Sequence, residues 1–268
     1  MFLNTRTPRR AGRHLALLAA AAIAAGAVGD AAAAALVLQS DFGTRDGAVA
    51  AMKGVALAVA PDLPVHDLTH EVPPYDIWEA ALRLDQVAAY WPAGTVFVSV
   101  VDPGVGTERR SVVMQTRSGH YFVTPDNGTL TFVAQSLGVE AVREIDEAVN
   151  RRRDSQASYT FHGRDVYAYT GARLAAGIIG FDEVGPDLAG AYQALPFQAA
   201  EFHDGRCLGT LVLADVRYGN VWTNIGRALF ERLGARPGDR LELHVREGER
   251  SVLKLELPYH NTFGAVPV

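Results

Sequence analysis

The chain has 268 residues, 49% hydrophobic and 21% charged, a globular composition long enough for one large domain or two unequal ones. Its net charge of −5 comes without a long basic run beyond the N-terminus, which excludes nucleic acid as an expected partner. A single cysteine, Cys207, excludes an intrachain disulfide and a cysteine-rich metal site.

Residues 1–35 read as a signal peptide. Arg6, Arg9, Arg10 and Arg13 form a basic start, Leu15 to Val28 is apolar and alanine-rich, and five alanines follow Asp30. The expected mature chain starts near Ala35 or Leu36, is periplasmic or secreted, and has no stable membrane association once cleaved. An uncleaved anchor is the alternative, although the apolar run is short for about 30 Å of hydrocarbon.

Leu36 to Ser40 reads as a short buried strand, and Asp41-Phe42-Gly43-Thr44-Arg45-Asp46-Gly47 turns off its end into a helix over Ala48 to Ala60. A carboxylate there suits a hydroxyl pair such as a ribose diol, because an ionised Asp accepts two hydrogen bonds at once. Asp41 or Asp46 capping the helix is the plainer alternative. A second strand, Pro64 to Leu68, leads into the loop Thr69 to Asp76. His70 and Glu71 in that loop have no second histidine at helical spacing, so zinc is rejected. Tyr75, on a Pro-Pro loop, either stacks on a ligand ring or covers the core edge. Ile77 to Tyr90 is an amphipathic helix with Ile77, Ala80, Ala81, Leu84 and Val87 on one face.

The run Gly94 to Ser99 reads as a buried parallel strand that ends in Val101-Asp102-Pro103-Gly104-Val105-Gly106. Ligands of open α/β sheets bind at the carboxyl ends of strands, which is where Asp102 falls; Arg109 follows on the same loop. A tight turn with a solvated Asp and a surface Arg is the other reading. Ser111 to Thr116 and His120 to Thr124 form a predicted hairpin, Pro125-Asp126-Asn127-Gly128 a turn, and Thr129 to Gly138 a helix. Arg151-Arg152-Arg153-Asp154 reads as a solvated charged loop. Thr160-Phe161-His162-Gly163-Arg164-Asp165 precedes a helix over Val166 to Gly177, placing His162 and Gly163 at a helix N-terminus, where negative charge is favoured. Gly163 leaves room for a ligand.

After Pro186 the pattern changes: Ala191 to Phe202 reads as a linker, followed by strands over Leu208 to Ala214, Arg240 to Arg246 and Ser251 to Leu257. The expected domains are 36–190, an α/β domain with a mostly parallel central sheet, and 191–268, a small β-rich domain. Its loop, Asp215 to Asn224, carries Asp215, Asn220 and Trp222 among a carboxylate, two amides and two aromatics, a set suited to a zwitterionic amino-acid head and an apolar ring. An Asx turn beside a buried Trp is the alternative.

Taken together, Ser40-Asp41-Phe42-Gly43, His70-Glu71-Val72-Pro73-Pro74-Tyr75-Asp76, Val101-Asp102-Pro103-Gly104-Val105-Gly106, Pro125-Asp126-Asn127-Gly128, Thr160-Phe161-His162-Gly163-Arg164-Asp165 and Tyr218-Gly219-Asn220-Val221-Trp222-Thr223-Asn224 resemble the S-adenosyl-L-methionine hydroxide adenosyltransferases, relatives of fluorinase and chlorinase. The resemblance implies a β-barrel-like C-terminal domain, a homotrimer with active sites between subunits, and attack of water on ribose C5′ of S-adenosylmethionine to give adenosine and methionine. It places an Asp-Arg-His triad on Asp102, Arg109 and His162, ribose contacts on Asp41, a ring contact on Tyr75, and the methionine end on Asp215 and Asn220. Asp102 and His162 would orient the water or accept its proton, and Arg109 would support Asp102. A sulfonium is already a good leaving group, so the reaction calls for no cofactor and no metal. Halide-using relatives look to carry Tyr in place of this Asp and a hydroxyl residue in place of Gly163. Family members usually continue past the point equivalent to Phe263 with strands that help bind adenine, so the C-terminal domain reads as truncated. A non-catalytic, exported adenosine or S-adenosylmethionine binder is the alternative function.

Overall fold

The computed structural model describes residues 34–157 and 160–260; the proposed signal segment and the stretch after His260 lie outside them. Three short strands start the fold: β1 (Leu36–Ser40), β2 (Val65–Thr69) and β3 (Val96–Val100). Between them run α1 (Ala48–Val59) and α2 (Ile77–Ala88), two right-length crossovers for parallel pairing. The hairpin β4 (Ser111–Thr116) and β5 (Tyr121–Pro125) follows, then α3 (Thr131–Leu137) and β6 (Val139–Glu144). The sheet order is β2-β1-β3-β5-β4-β6. β1 is parallel to β2 and β3, and β3 to β5, whereas β4 runs antiparallel to both its neighbours.

Every residue of β1 and β3 is buried, which explains their unbroken apolar runs: the sheet is covered on both faces. Leu36, Leu38, Val98 and Val123 pack with Met52 of α1 and with Tyr167 and Ala172 on one side. Val37, Phe97 and Phe122 pack with Leu84 of α2 and Val133 of α3 on the other. Each such side chain contributes roughly 1.5–3 kcal/mol. The predicted Val166 to Gly177 helix begins earlier, with a π-helical turn at Gly163–Ala168 that passes into α4 (Tyr169–Ala175). Gly171 is required here, since a Cβ on it would lie 2.4 Å from Val98 Cγ2.

The C-terminal part is β-rich, as expected, but among the described residues it forms separate two-stranded antiparallel sheets instead of a closed barrel. They are β7 (Glu201–His203) with β8 (Arg206–Leu208), β9 (Leu211–Asp215) with β10 (Asn220–Thr223), and, after the short α5 (Arg227–Phe230), β11 (Arg240–Glu247) with β12 (Arg250–Pro258). The single strand expected over Leu208 to Ala214 is broken at Gly209-Thr210. The Thr210 N–H donates to Asn224 Oδ1 at 2.8 Å and its hydroxyl to the Gln198 carbonyl at 2.9 Å, so the backbone leaves the ladder there. The stretch 191–202 is pinned rather than free. Gln193 N donates to Asp126 Oδ1 at 2.6 Å, Leu195 N to Thr131 Oγ1 at 2.8 Å, and Phe197 packs on Trp78 and Phe132.

Candidate active site

The order β2-β1-β3 reverses direction at the β1/β3 boundary, and the crevice beyond such a boundary is where open α/β sheets bind ligands. Ser40 and Val100 are register partners at the ends of β1 and β3, so the next residues of each strand, Asp41 and the Val101-Asp102 pair, emerge side by side. A cleft of about 240 Å³ opens there, lined by Asp41, Phe42, Pro74, Tyr75, Val100, Asp102, Val105, Thr160 and Gly163.

Behind Asp102 sits the rest of the expected triad. Arg109 Nε donates to both oxygens of Asp102 at 3.0 Å, and Arg109 Nη2 reaches Oδ2 at 2.6 Å. The same Nη2 donates to His162 Nδ1 at 2.9 Å. The Asp102 and Arg109 side chains are 6% and 11% exposed, so this bidentate pair is shielded from solvent and strong. Tyr167 OH lies 3.5 Å from Asp102 Oδ2, leaving Oδ1 as the less committed oxygen. Burial and the Asp102 carboxylate push the Tyr167 phenol far up, so it stays a donor. The Asn127 amide donates to the Val101 carbonyl at 2.8 Å and fixes the backbone just before Asp102.

His162 is the N-cap of the π-helical turn and is 8% exposed. A guanidinium has only donors, so the Nδ1 facing Arg109 carries a lone pair, and that lone pair is already used. Burial lowers the His162 pKa, and Arg109 and Arg151 lower it further, while Glu147 and Asp102 oppose them. The imidazole is thus neutral, lies behind the cleft wall, and touches Arg109 instead of facing the cleft.

Gly163 lines the cleft, but the room it makes is taken by protein: a Cβ there would lie 3.0 Å from the Phe42 ring and 3.1 Å from Val100 Cγ1. Asp41 does not cap α1. Asp46 Oδ1 accepts from Ala48 N at 2.9 Å, while Asp41 Oδ2 accepts from Tyr75 N at 2.8 Å. That bond holds Tyr75 at φ 65°, a left-handed conformation uncommon for a residue with a bulky side chain. The Tyr75 ring is 69% exposed at the cleft mouth. His70 braces the end of β1, with Nδ1 2.7 Å from Ser40 Oγ and Nε2 3.1 Å from Asp67 Oδ1.

Asp215, Asn220 and Trp222 lie on the β9–β10 hairpin and do not line this cleft. Asp215 Oδ1 accepts from Arg217 N and Tyr218 N at 3.2 and 3.3 Å, an Asx turn, and Trp222 is 48% exposed.

The Arg151–Asp154 loop corrects the sequence reading. Arg152 Nε donates to Asp165 Oδ1 at 2.9 Å, and Arg164 binds the same buried carboxylate at 2.7–2.8 Å. Burial alone would raise the Asp165 pKa; the two guanidiniums outweigh it and hold the group below the usual carboxylate range. Arg151, 10% exposed, donates to Glu147 Oε2 at 2.7 Å and lies 3.5 Å from His162 Nε2. Glu147, Arg151, Ser111 and Tyr167 were not singled out by the sequence. Ser111 meets Glu147 and Tyr167 across 36 and 56 residues, Tyr167 meets Asp102 across 65, and Arg151 meets His162 across 11, so only the Arg-rich run carried any signal.

A shielded carboxylate, guanidinium and imidazole beside a cleft at a parallel-sheet switch point place this chain among the α/β proteins with an anchored anion at the sheet's carboxyl edge. The model of the SAM hydroxide adenosyltransferase N-terminal domain matches residues 36–185. The chain belongs to that family. It is 43% identical over 143 residues to an (R)-S-adenosyl-L-methionine hydrolase of Methanocaldococcus jannaschii, a match covering 52% of either chain, so it spans about half the length of that relative. It is 30% identical over 256 residues to a fluorinase of Nocardia brasiliensis, covering 85% of this chain and 82% of the relative. A crystal structure of an uncharacterized conserved protein from Thermotoga maritima superposes with a TM-score of 0.77 at 33% identity, covering 87% and 85% of the two chains.

Proposed function

We propose that the protein hydrolyses S-adenosyl-L-methionine to adenosine and L-methionine. The single observation that carries this is Asp102, an anionic group on the cleft wall, gripped from behind by Arg109 with one oxygen less committed. Water seated on Asp102 Oδ1 attacks ribose C5′: the new C5′–O bond forms as the C5′–S bond breaks, the sulfonium leaves as the thioether of methionine, and the water proton passes to Asp102. Holding the nucleophile in line removes about 7–11 kcal/mol of barrier. A halide would meet a carboxylate at this position and be repelled, which favours water over the chemistry named for the fluorinase relatives. Arg109 and His162 act through Asp102, as positioning residues. Asp41 and Tyr75 take the ribose and its ring neighbour.

The same reading assigns the methionine end to Asp215, Asn220 and Trp222 of a neighbouring subunit in a homotrimer. That these residues do not line the cleft of their own chain, and that the hairpins expose apolar side chains, support it. It keeps the division into 36–190 and 191–268, needs no cofactor, and takes the mature protein to lie outside the cytoplasm, as the N-terminal pattern suggests. The test is incubation with S-adenosylmethionine in ¹⁸O-water, with chloride and fluoride in parallel. Adenosine labelled at the 5′-oxygen is expected. Binding without adenosine, or 5′-halo-adenosine, overturns the assignment.

A further inference from the structure

The imidazole of His162 lies between two ion pairs. On its Nδ1 side is Asp102–Arg109; on its Nε2 side is Glu147–Arg151. Ser111 joins them, accepting from Arg109 Nη1 at 3.1 Å and donating to Glu147 Oε1 at 3.4 Å, so that Arg109, Ser111, Glu147, Arg151 and His162 close a ring. Tyr167 OH is 3.2 Å from Ser111 Oγ and completes the packing.

The segment carrying Glu147 and Arg151 is built to hold them still. Val149 N and Asn150 N fold back on the Asp146 carbonyl at 3.1 and 2.8 Å, a single helical turn. Asn150 is fully buried; its amide donates to the Glu183 and Val184 carbonyls and accepts from Arg173. On the far side Arg152 N donates to the Asp165 carbonyl at 2.8 Å, and Arg151 Nε donates to Ser155 Oγ at 3.2 Å. The ring is therefore anchored from the β6 end and from the π-helical turn.

We propose that Glu147 and Arg151 are positioning residues for the water-activating carboxylate: Arg151 favours the neutral form of His162, and Glu147 holds Arg151 in place and tempers its charge, so that His162 holds Arg109 Nη2 against Asp102. This rests on the hydrolase reading above. The logic is one of charge. The neutral ring carries its proton on Nε2, so a second proton would go to Nδ1, cost the bond from Arg109, and leave an imidazolium between two guanidiniums. Glu147 cancels part of the Arg151 charge, and the lone pair of Nδ1 is left to Arg109. Among the described residues, Asp102, Arg109, Glu147 and Arg151 are the charged groups acting on the ring, and the pair shifts the balance among them.

A single experiment separates this from simple structural support. His162 is titrated by NMR in histidine-labelled full chain, its signal assigned by loss in His162→Gln, in the wild type, Arg151→Met and Glu147→Gln. The two variants should move the titration in opposite directions: up for Arg151→Met, down for Glu147→Gln, each by about tenfold in the protonated-to-neutral ratio. The acid limb of kcat against pH should follow the same two displacements, with KM unchanged. Arg151→Lys and Glu147→Asp keep the charges and should restore the wild-type profile, which guards against misfolding of the neutral variants. Titrations that stay put, or move the same way, overturn the charge balance. Opposite titration shifts with an unmoved kcat profile overturn the positioning role. A wild type that yields no adenosine sinks the hydrolase reading, and with it the catalytic role, while the NMR arm still decides the charge balance.

Discussion

Two regions of this molecule treat polar and apolar groups in opposite ways. At the carboxyl edge of the six-stranded sheet, each ion pair has at least one shielded partner: Asp102 with Arg109, Arg151 with the half-buried Glu147, and the fully buried Asp165 with the more exposed Arg152 and Arg164. On the C-terminal hairpins, apolar side chains stand in the open. Val252, Leu253, Leu255 and Leu257 of β12 are 40–51% exposed, and every residue of that strand is exposed. Buried charges are held in one geometry because any departure strands them without partners, so the first region can be read for chemistry from one chain. Among its described residues the second presents no comparable network of shielded charges, and its proposed site residues belong to the proposed homotrimer.

The contrast can be broken first at its most sensitive point. Asp102→Asn should lower turnover about 10²–10⁴-fold with little change in affinity, since the amide keeps the shape and loses the base. Turnover of adenosine and calorimetric binding check it. Next, Asp165→Asn should destabilise the chain by about 1–3 kcal/mol, because two guanidiniums lose their charged acceptor; the thermal midpoint reports it. The stability that Asp165 supplies has a defined pH window. Its native pKa is lowered, so the contribution is complete above the ordinary aspartate value of about 3.9 and is lost as pH falls from there through the native value. If the proposed homotrimer supplies Asp215 to a neighbouring cleft, Asp215→Ala should raise KM about tenfold without lowering kcat or the thermal midpoint, as fits loss of one hydrogen bond to a charged head. An unchanged KM would remove the hairpin from the site. The smallest effect belongs to Val252→Thr, expected within about 0.5 kcal/mol for the dissociated chain.

Much of this was legible in the sequence where burial is two-sided or turns are punctuated by Gly and Pro. β1, β3 and the β4–β5 hairpin lie within two residues of their expected places because unbroken or alternating apolar runs leave few alternatives. β6 was missed: Val-Glu-Ala-Val-Arg-Glu is a half-solvated edge strand written largely in helix formers, and tertiary pairing with β4 decides it. The π-helical turn was missed because its residue pattern differs little from an ordinary helix start. The triad came from motif resemblance, and the structure brought its members together. What the sequence concealed was the far half of the ring, since nothing in a run of arginines says which of them folds inward.

The register of β1 with β3 has a consequence for heat. Asp41 and Asp102 leave adjacent strands whose spacing is set by backbone hydrogen bonds, and the loops only decorate that spacing. Loosening the Tyr75 loop therefore blurs the grip on a ligand without changing the separation between the two carboxylates. Amide exchange at Gln39 and Ser99, paired across that boundary, should be among the slowest in the chain and should accelerate only with global unfolding. Inactivation on warming should then be abrupt and coincide with loss of the sheet.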